Sequence, residues 1–220
     1  MRNAYTIELN ELNDDLCALA ATAREAMVDA SRALLERDVH RAEASIARSG
    51  YLAELGTRCE NRAVALLARQ APVGTDLRQV FSTMRISADL ARMGDLAVHI
   101  AEAVRRRFPD EIVPDYLEPK FEELGDICLD MADRVRRALG EIAVEPIAHL
   151  DDLDARVDRL HDEVIESITD ETRGNDVKKA VDVALLCRFY QRYAAQAVDV
   201  GQRVVFLVSG SRPENSARAS

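Results

Sequence analysis

The chain has no tryptophan, and aromatic residues make up only 5% of its 220 positions. Glycine (9) and proline (6) are equally scarce. Ala, Leu, Arg, Glu and Asp take their place, which is the composition of long helices. The 48% apolar fraction excludes intrinsic disorder. Basic residues are outnumbered 29 to 39, giving a net charge of −10. A general nucleic-acid binder needs the opposite balance, and an anionic membrane surface is disfavoured for the same reason. The four cysteines, Cys17, Cys59, Cys128 and Cys187, form no C-x-x-C pair. That excludes a zinc knuckle or a disulfide framework and fits small apolar residues in a reducing compartment. The longest apolar run near the end, Val204–Val208, is far too short to span a bilayer, and the polar N-terminus does not read as a signal peptide. The expectation is a cytoplasmic protein without membrane insertion. No phosphate-binding glycine loop, dinucleotide fingerprint, nucleophile elbow or H-E-x-x-H zinc motif occurs, and nothing assembles a nucleophile, base and orienter. The expectation is no enzyme, with catalytic residues and required cofactor none.

What is present is a repeat. A-R-M-G-D-L-A-V-H-I-A-E-A-V at 91–104 returns as Q-R-Y-A-A-Q-A-V-D-V-G-Q-R-V at 191–204. Arg92, Ala97, Val98 and Val104 recur as Arg192, Ala197, Val198 and Val204 without a gap. A fixed offset through a helical segment points to a duplicated structural unit.

All six prolines fall where an apolar period breaks, as they do at helix boundaries. Between them the pattern predicts helices over 4–36, 39–69, 76–107, 118–143, 147–172 and 176–208. Thr75 or Asp76 is the expected N-cap of the third and Asp176 that of the sixth. The fifth carries Leu150, Leu153, Val157, Leu160, Val164 and Ile168 on one stripe. The sixth carries Val177, Val181, Ala184, Cys187, Ala194, Val198, Gly201 and Val205. One apolar stripe per helix with short loops predicts an all-α fold of two tandem three-helix bundles, six long antiparallel helices related by duplication. The boundaries are 1–110 and 111–210, followed by a disordered tail over 211–220. Pro109–Pro119 is the linker.

Carboxylates four residues apart on a helix share a face and suit a hard cation. The fifth helix has Asp154, Asp158, Asp162 and Glu166, a column that Arg156 and Arg159 are placed to compensate. This column reads either as a solvated, partly paired face or as a site for a cation or a partner's arginines. Asp95 lies near the apolar stripe of the third helix with Arg92 and His99 flanking it, and Glu60 lies at the core edge of the second. Asp158 and His161 give half of a di-iron signature, but no second half exists. Arg105, Arg106 and Arg107 read as cations at a helix C-terminus, where the macrodipole favours them, or as partner contacts.

At these residues the chain resembles the PhoU family. The marks are P-V-G-T-D-L-R at 72–78, A-R-M-G-D-L-A-V-H-I-A at 91–101, its counterpart Q-R-Y-A-A-Q-A-V-D-V-G at 191–201, and V-V-F-L-V-S-G at 204–210. The arginine- and alanine-rich composition is similar to that of mycobacterial-type members. The resemblance implies two three-helix repeats and an adaptor that couples the ATPase subunit of the phosphate-specific ABC transporter to a sensor histidine kinase, as a homodimer. The role it implies is to keep the phosphate-starvation response off when phosphate is plentiful. The family's metal motif, paired E/D-x-x-x-D sequences, falls on Gly56/Glu60, Ala91/Asp95, Asp158/Asp162 and Gln191/Ala195. Only Glu60, Asp95, Asp158 and Asp162 keep a carboxylate, so the resemblance implies at most a weakly bound divalent metal. Arg105–Arg107, Asp154 and Glu166 are the candidate partner contacts. A change of angle between the bundles is the expected signalling movement.

Overall fold

The computed structural model describes residues 2–170 and 176–210, without the side chains of residues 2–4 and 70; the predicted 211–220 tail lies outside them. Helix α1 runs Arg2–Glu36, α2 Val39–Ala47, α3 Ser49–Gln70 and α4 Thr75–Arg107. The second triplet is α5 (Glu118–Glu141), α6 (Leu150–Thr169) and α7 (Val177–Ser209), with single 3₁₀ turns at Asp115–Leu117 and Glu145–Ile147. No strand occurs among the described residues. Counting α2 and α3 as one interrupted helix gives the six long helices the periodicity predicts.

That interruption was not foreseen. Arg48 closes α2 with a tight turn, its N–H donating to the Ser45 carbonyl at 3.1 Å, and Ser49-Gly50 follows at once. Ser–Gly pairs are a recognised cause of helix bends. The bend is held from α1: the buried Ser45 hydroxyl donates to the Ala26 carbonyl at 2.9 Å, and Arg48 pairs with Asp29 at 2.6 Å. The caps divide. Asp176 Oδ1 accepts from the Lys178 N–H at 3.0 Å, as expected. Helix α4 is instead entered through Gly74 with φ +59°, a conformation glycine adopts at no steric cost, and neither Thr75 nor Asp76 caps it.

The duplication is visible in burial. Residues 81–94 of α4 and 181–194 of α7 pass through the same succession of buried, half-buried and exposed positions. Helices α4 and α7 pack antiparallel, with Arg107 of α4 at Asp182 of α7 and Arg78 of α4 beside Gly210. Around this pair α1 and α5 form a second layer, while α2–α3 flank α4 and α6 flanks α7.

Two glycines set the flanks close. A Cβ on Gly94 would stand 2.6 Å from Leu52 Cδ1 of α3, and one on Gly201 would stand 2.8 Å from Leu150 Cδ1 of α6. Each triplet therefore seats its middle helix against a glycine of its third.

One apolar core runs through both triplets. Tyr190 and Tyr193 of α7 are fully buried in it. The Tyr190 hydroxyl donates to Ser31 Oγ of α1 at 3.0 Å, and its ring meets Phe121 of α5 edge-on at 6.0 Å. Arg24 of α1 forks onto Asp133 of α5 at 2.8 and 2.9 Å. The predicted linker is packed as well: Ile112, Val113 and Leu117 are buried, and Arg37 holds Glu111 at 3.0 Å and Glu118 at 3.4 Å. A hinge between the triplets would have to open this shared core.

The stripe predicted for the sixth helix needs correction. Leu150, Val157, Leu160, Val164 and Ile168 of α6 are buried as expected, but Val177 and Val181 of α7 are exposed. Val183, Leu186, Cys187, Tyr190, Tyr193 and Ala197 form the actual core face.

Candidate functional site

The residues aligned with the family's metal motif lie on two seams, α3 against α4 and α6 against α7. On the first, a Cβ added to Gly56 would rest 3.9 Å from Ala91 Cβ, so the helices meet through small residues where paired ligands would stand. Glu60 and Asp95 are exposed, not at the core edge. His99 does not serve Asp95; its Nδ1 lies 3.1 Å from Glu102 Oε2.

On the second seam, Gln191 Nε2 donates to Asp158 Oδ1 at 2.7 Å, and Arg188 donates to Gln191 Oε1. An amide thus stands against Asp158 where the motif would place a second carboxylate, and it takes one of the lone pairs of Oδ1. Asp162 is 84% exposed, 3.4 Å from His161 Nδ1, and Ala195 offers no donor. No group of three or more His, Cys, Asp or Glu side chains converges in metal-binding geometry among the described residues. This donor set does not fit a multinuclear cluster. Protein purified without chelator is expected to carry substoichiometric iron, zinc and manganese by elemental analysis, with thermal stability unchanged by EDTA. A stoichiometric metal would contradict this reading.

The candidate partner residues are also placed differently from expectation. Arg107 is only 23% exposed and forms an ion pair with Asp182, itself 11% exposed. Arg106 lies 3.9 Å from the same carboxylate, and Arg105 lies 3.6 Å from Glu43 of α2. The triplet is therefore divided: Arg107 ties α4 to α7, while Arg105 and Arg106 remain at the surface. Asp182 was missed because it interrupts an apolar stripe without any spacing signature. In the acidic column Asp154 is half-buried and Glu166 exposed. Within the column Asp158 accepts from Gln191 and Asp162 lies beside His161, while Arg156 pairs instead with Glu123 of α5 and Lys120 of α5 with Glu163, two carboxylates outside the column.

A model of the PhoU domain matches this sequence twice, at residues 16–104 and 121–204. The chain belongs to the PhoU family. It is 37% identical over 213 residues to the phosphate-specific transport system accessory protein PhoU homolog 1 of Mycobacterium tuberculosis strain H37Rv, covering 97% of this chain and 96% of that one. PhoU homolog 2 of the same strain is also 37% identical over 213 residues, covering 97% and 100%. The solved phosphate transport system regulatory protein PhoU of Streptococcus pneumoniae superimposes with a TM-score of 0.84 at 22% identity, covering 96% of this chain and 99% of that one. PhoU from Pseudomonas aeruginosa gives 0.83 at 20% identity, covering 94% and 100%. The two PhoU-domain matches coincide with the two helix triplets, so the duplication read at 91–104 and 191–204 is the family's own.

No cysteine of this PhoU-family chain is poised as a nucleophile. Burial pushes the Cys187 thiol up to about 12, and Cys128, donating to the Tyr190 carbonyl at 3.6 Å, is also raised by burial. Cys59 is buried and Cys17 half-buried, and burial raises both. The thiolate is the reactive form. Ellman's reagent should therefore modify at most Cys17 rapidly in the native protein and all four cysteines in denaturant. Rapid loss of two or more native thiols would contradict the buried positions.

Proposed function

We propose that this PhoU-family chain is an accessory regulator of phosphate-specific transport that acts by binding proteins. Its partners on this reading are the ATPase subunit of the phosphate ABC transporter and a sensor histidine kinase, which it couples so that the phosphate-starvation response stays off in high phosphate. It turns over no substrate, works in the cytoplasm and forms a homodimer. The observation that carries the reading is near-full-length similarity to the mycobacterial accessory proteins. The seams agree with it, because their Gly–Ala and Gln–Asp contacts leave exposed helix faces as the functional surface. No helix among the described residues is long and apolar enough to cross a membrane.

The test is direct binding. Purified chain is titrated calorimetrically with the ATPase subunit and with the cytoplasmic part of the kinase, and its own mass is measured by light scattering. Saturable binding to at least one protein is expected, with a dimeric mass. Absence of binding to both would overturn the adaptor reading, and a monomeric mass would remove the homodimer from it.

A further inference from the structure

Charge is partitioned in this molecule in a way the net value conceals. Helices α4 and α7 contain 11 basic and 6 acidic residues, so of the chain's 29 and 39 they leave 18 against 33 elsewhere. Exposure sharpens the contrast. On this pair eight basic side chains are exposed, against two acidic ones, Asp76 and Asp95. The outer surface of the two central helices is therefore a cationic face on a strongly acidic protein. Arg85 and Arg92 of α4 and Arg188 and Arg192 of α7 run along it.

The same face exposes large apolar side chains. Phe81 of α4 is 47% exposed, and Val181 and Leu185 of α7 are 54% and 48% exposed. Phe81 and Val181 are equivalent under the 100-residue repeat, as are the exposed Leu77 and Val177. Between the helices lies a pocket of about 240 Å³ lined by the apolar Ala103, Leu185, Leu186 and Phe189 and by His99 and Arg106, with Glu102 and Asp182 there as well, paired to His99 and Arg107. The His99 and Phe189 rings stand 5.5 Å apart across it.

We infer that the α4–α7 face docks an acidic, amphipathic helix of a protein partner. Its apolar side lies along the groove and inserts one side chain beside Leu185 and Phe189. Its flanking carboxylates meet Arg92, Arg188 and Arg192. This is the helix-in-groove mode with charge complementarity at the rim. The occupant is a protein and not a lipid headgroup layer or nucleic acid, because the arginines stand beside exposed Phe81, Val181 and Leu185, apolar area that a row of phosphates would leave uncovered. A pocket sized for one side chain also suits a protein partner. The inference rests on the adaptor reading and names the surface that reading uses. It moves the contact from the α6 acidic column to the opposite charge on α4 and α7.

The experiment titrates the ATPase subunit and the kinase's cytoplasmic part into four proteins. These are the wild type, the triple variant Arg92→Glu/Arg188→Glu/Arg192→Glu, the pocket variant Leu185→Asp, and the α6 control Asp162→Lys/Glu166→Lys. All changed side chains are exposed, and circular dichroism confirms folding. At least one partner is expected to bind wild type and to bind both groove variants about tenfold more weakly or worse, the control staying within about threefold. Wild-type affinity should also fall as ionic strength rises from about 0.1 to about 0.5 M. Unchanged binding by the groove variants, with loss in the control, overturns this surface but leaves the adaptor reading standing. No binding by wild type overturns both. Equimolar phosphatidylglycerol–phosphatidylcholine vesicles or a duplex DNA that bind wild type, with loss in the triple variant and no protein bound, overturn the protein occupant.

Discussion

Tyr190→Ala should destabilise the protein by about 4 kcal/mol, the range for deleting a fully buried aromatic ring. In a chain of this size that lowers Tm by on the order of 10 °C. The ring is sealed from solvent, packs edge-on against Phe121 of α5, and sends its hydroxyl to Ser31 of α1. It thus touches both triplets at once. Tyr190→Phe retains the packing and gives up one buried hydrogen bond, at a cost of about 1 kcal/mol. Because the core is continuous, thermal melts followed by circular dichroism and by tyrosine fluorescence should coincide before and after the substitution. Two separated transitions, with the alanine variant affecting only the second, would show that the triplets are independent domains.

Gly94→Leu should destabilise by about 3 kcal/mol, the upper part of the overpacking range. Even a Cβ at Gly94 would stand 2.6, 2.9 and 3.2 Å from three side-chain atoms of Leu52, which is 1% exposed. Gly94→Ala is the instructive comparison. It gains about 1 kcal/mol of helix propensity over glycine. The clash takes that gain back, so it should end near neutral or mildly destabilising. If the clash is the cause, Leu52→Ala in the Gly94→Leu background should recover part of the loss, a coupling that a double-mutant cycle measures in urea. A Gly94→Leu protein as stable as wild type would mean that α3 and α4 do not meet through that glycine.

Much of the fold was legible because helices advertise themselves through period and punctuation. Apolar stripes such as Leu150–Ile168 of α6, with prolines at three of the five boundaries, placed six helices within a few residues. The bend at Arg48 was not legible. It depends on Ser45 reaching Ala26 across 19 residues of chain, a tertiary contact without a local pattern. Val177 and Val181 misled for a related reason: they continue the 3–4 spacing of α7 but are exposed, because no helix packs over them. Tyr190 and Tyr193, which set the core face of that helix, fall outside the predicted stripe.

The seams illustrate the same limit. Sequence showed four of eight carboxylates missing from the motif, while structure shows what replaced them. Gln191 donates into Asp158, and Gly56 rests on Ala91. Arg107 looked like a member of an exposed triplet until its pair with the nearly buried Asp182 was visible. Conversely, the cationic face of α4 and α7 is fully encoded in the sequence. It emerges only when charge is summed over the elements that pack together, not over the chain.

The most direct measurement of the regulatory role is made in cells. A strain lacking this gene is grown in abundant phosphate with a reporter of the phosphate-starvation response. The reporter should be on in the deletion strain and off again when the wild-type chain is restored. A reporter that stays off in the deletion strain, or that the restored chain leaves on, would contradict a role for this protein in holding that response silent.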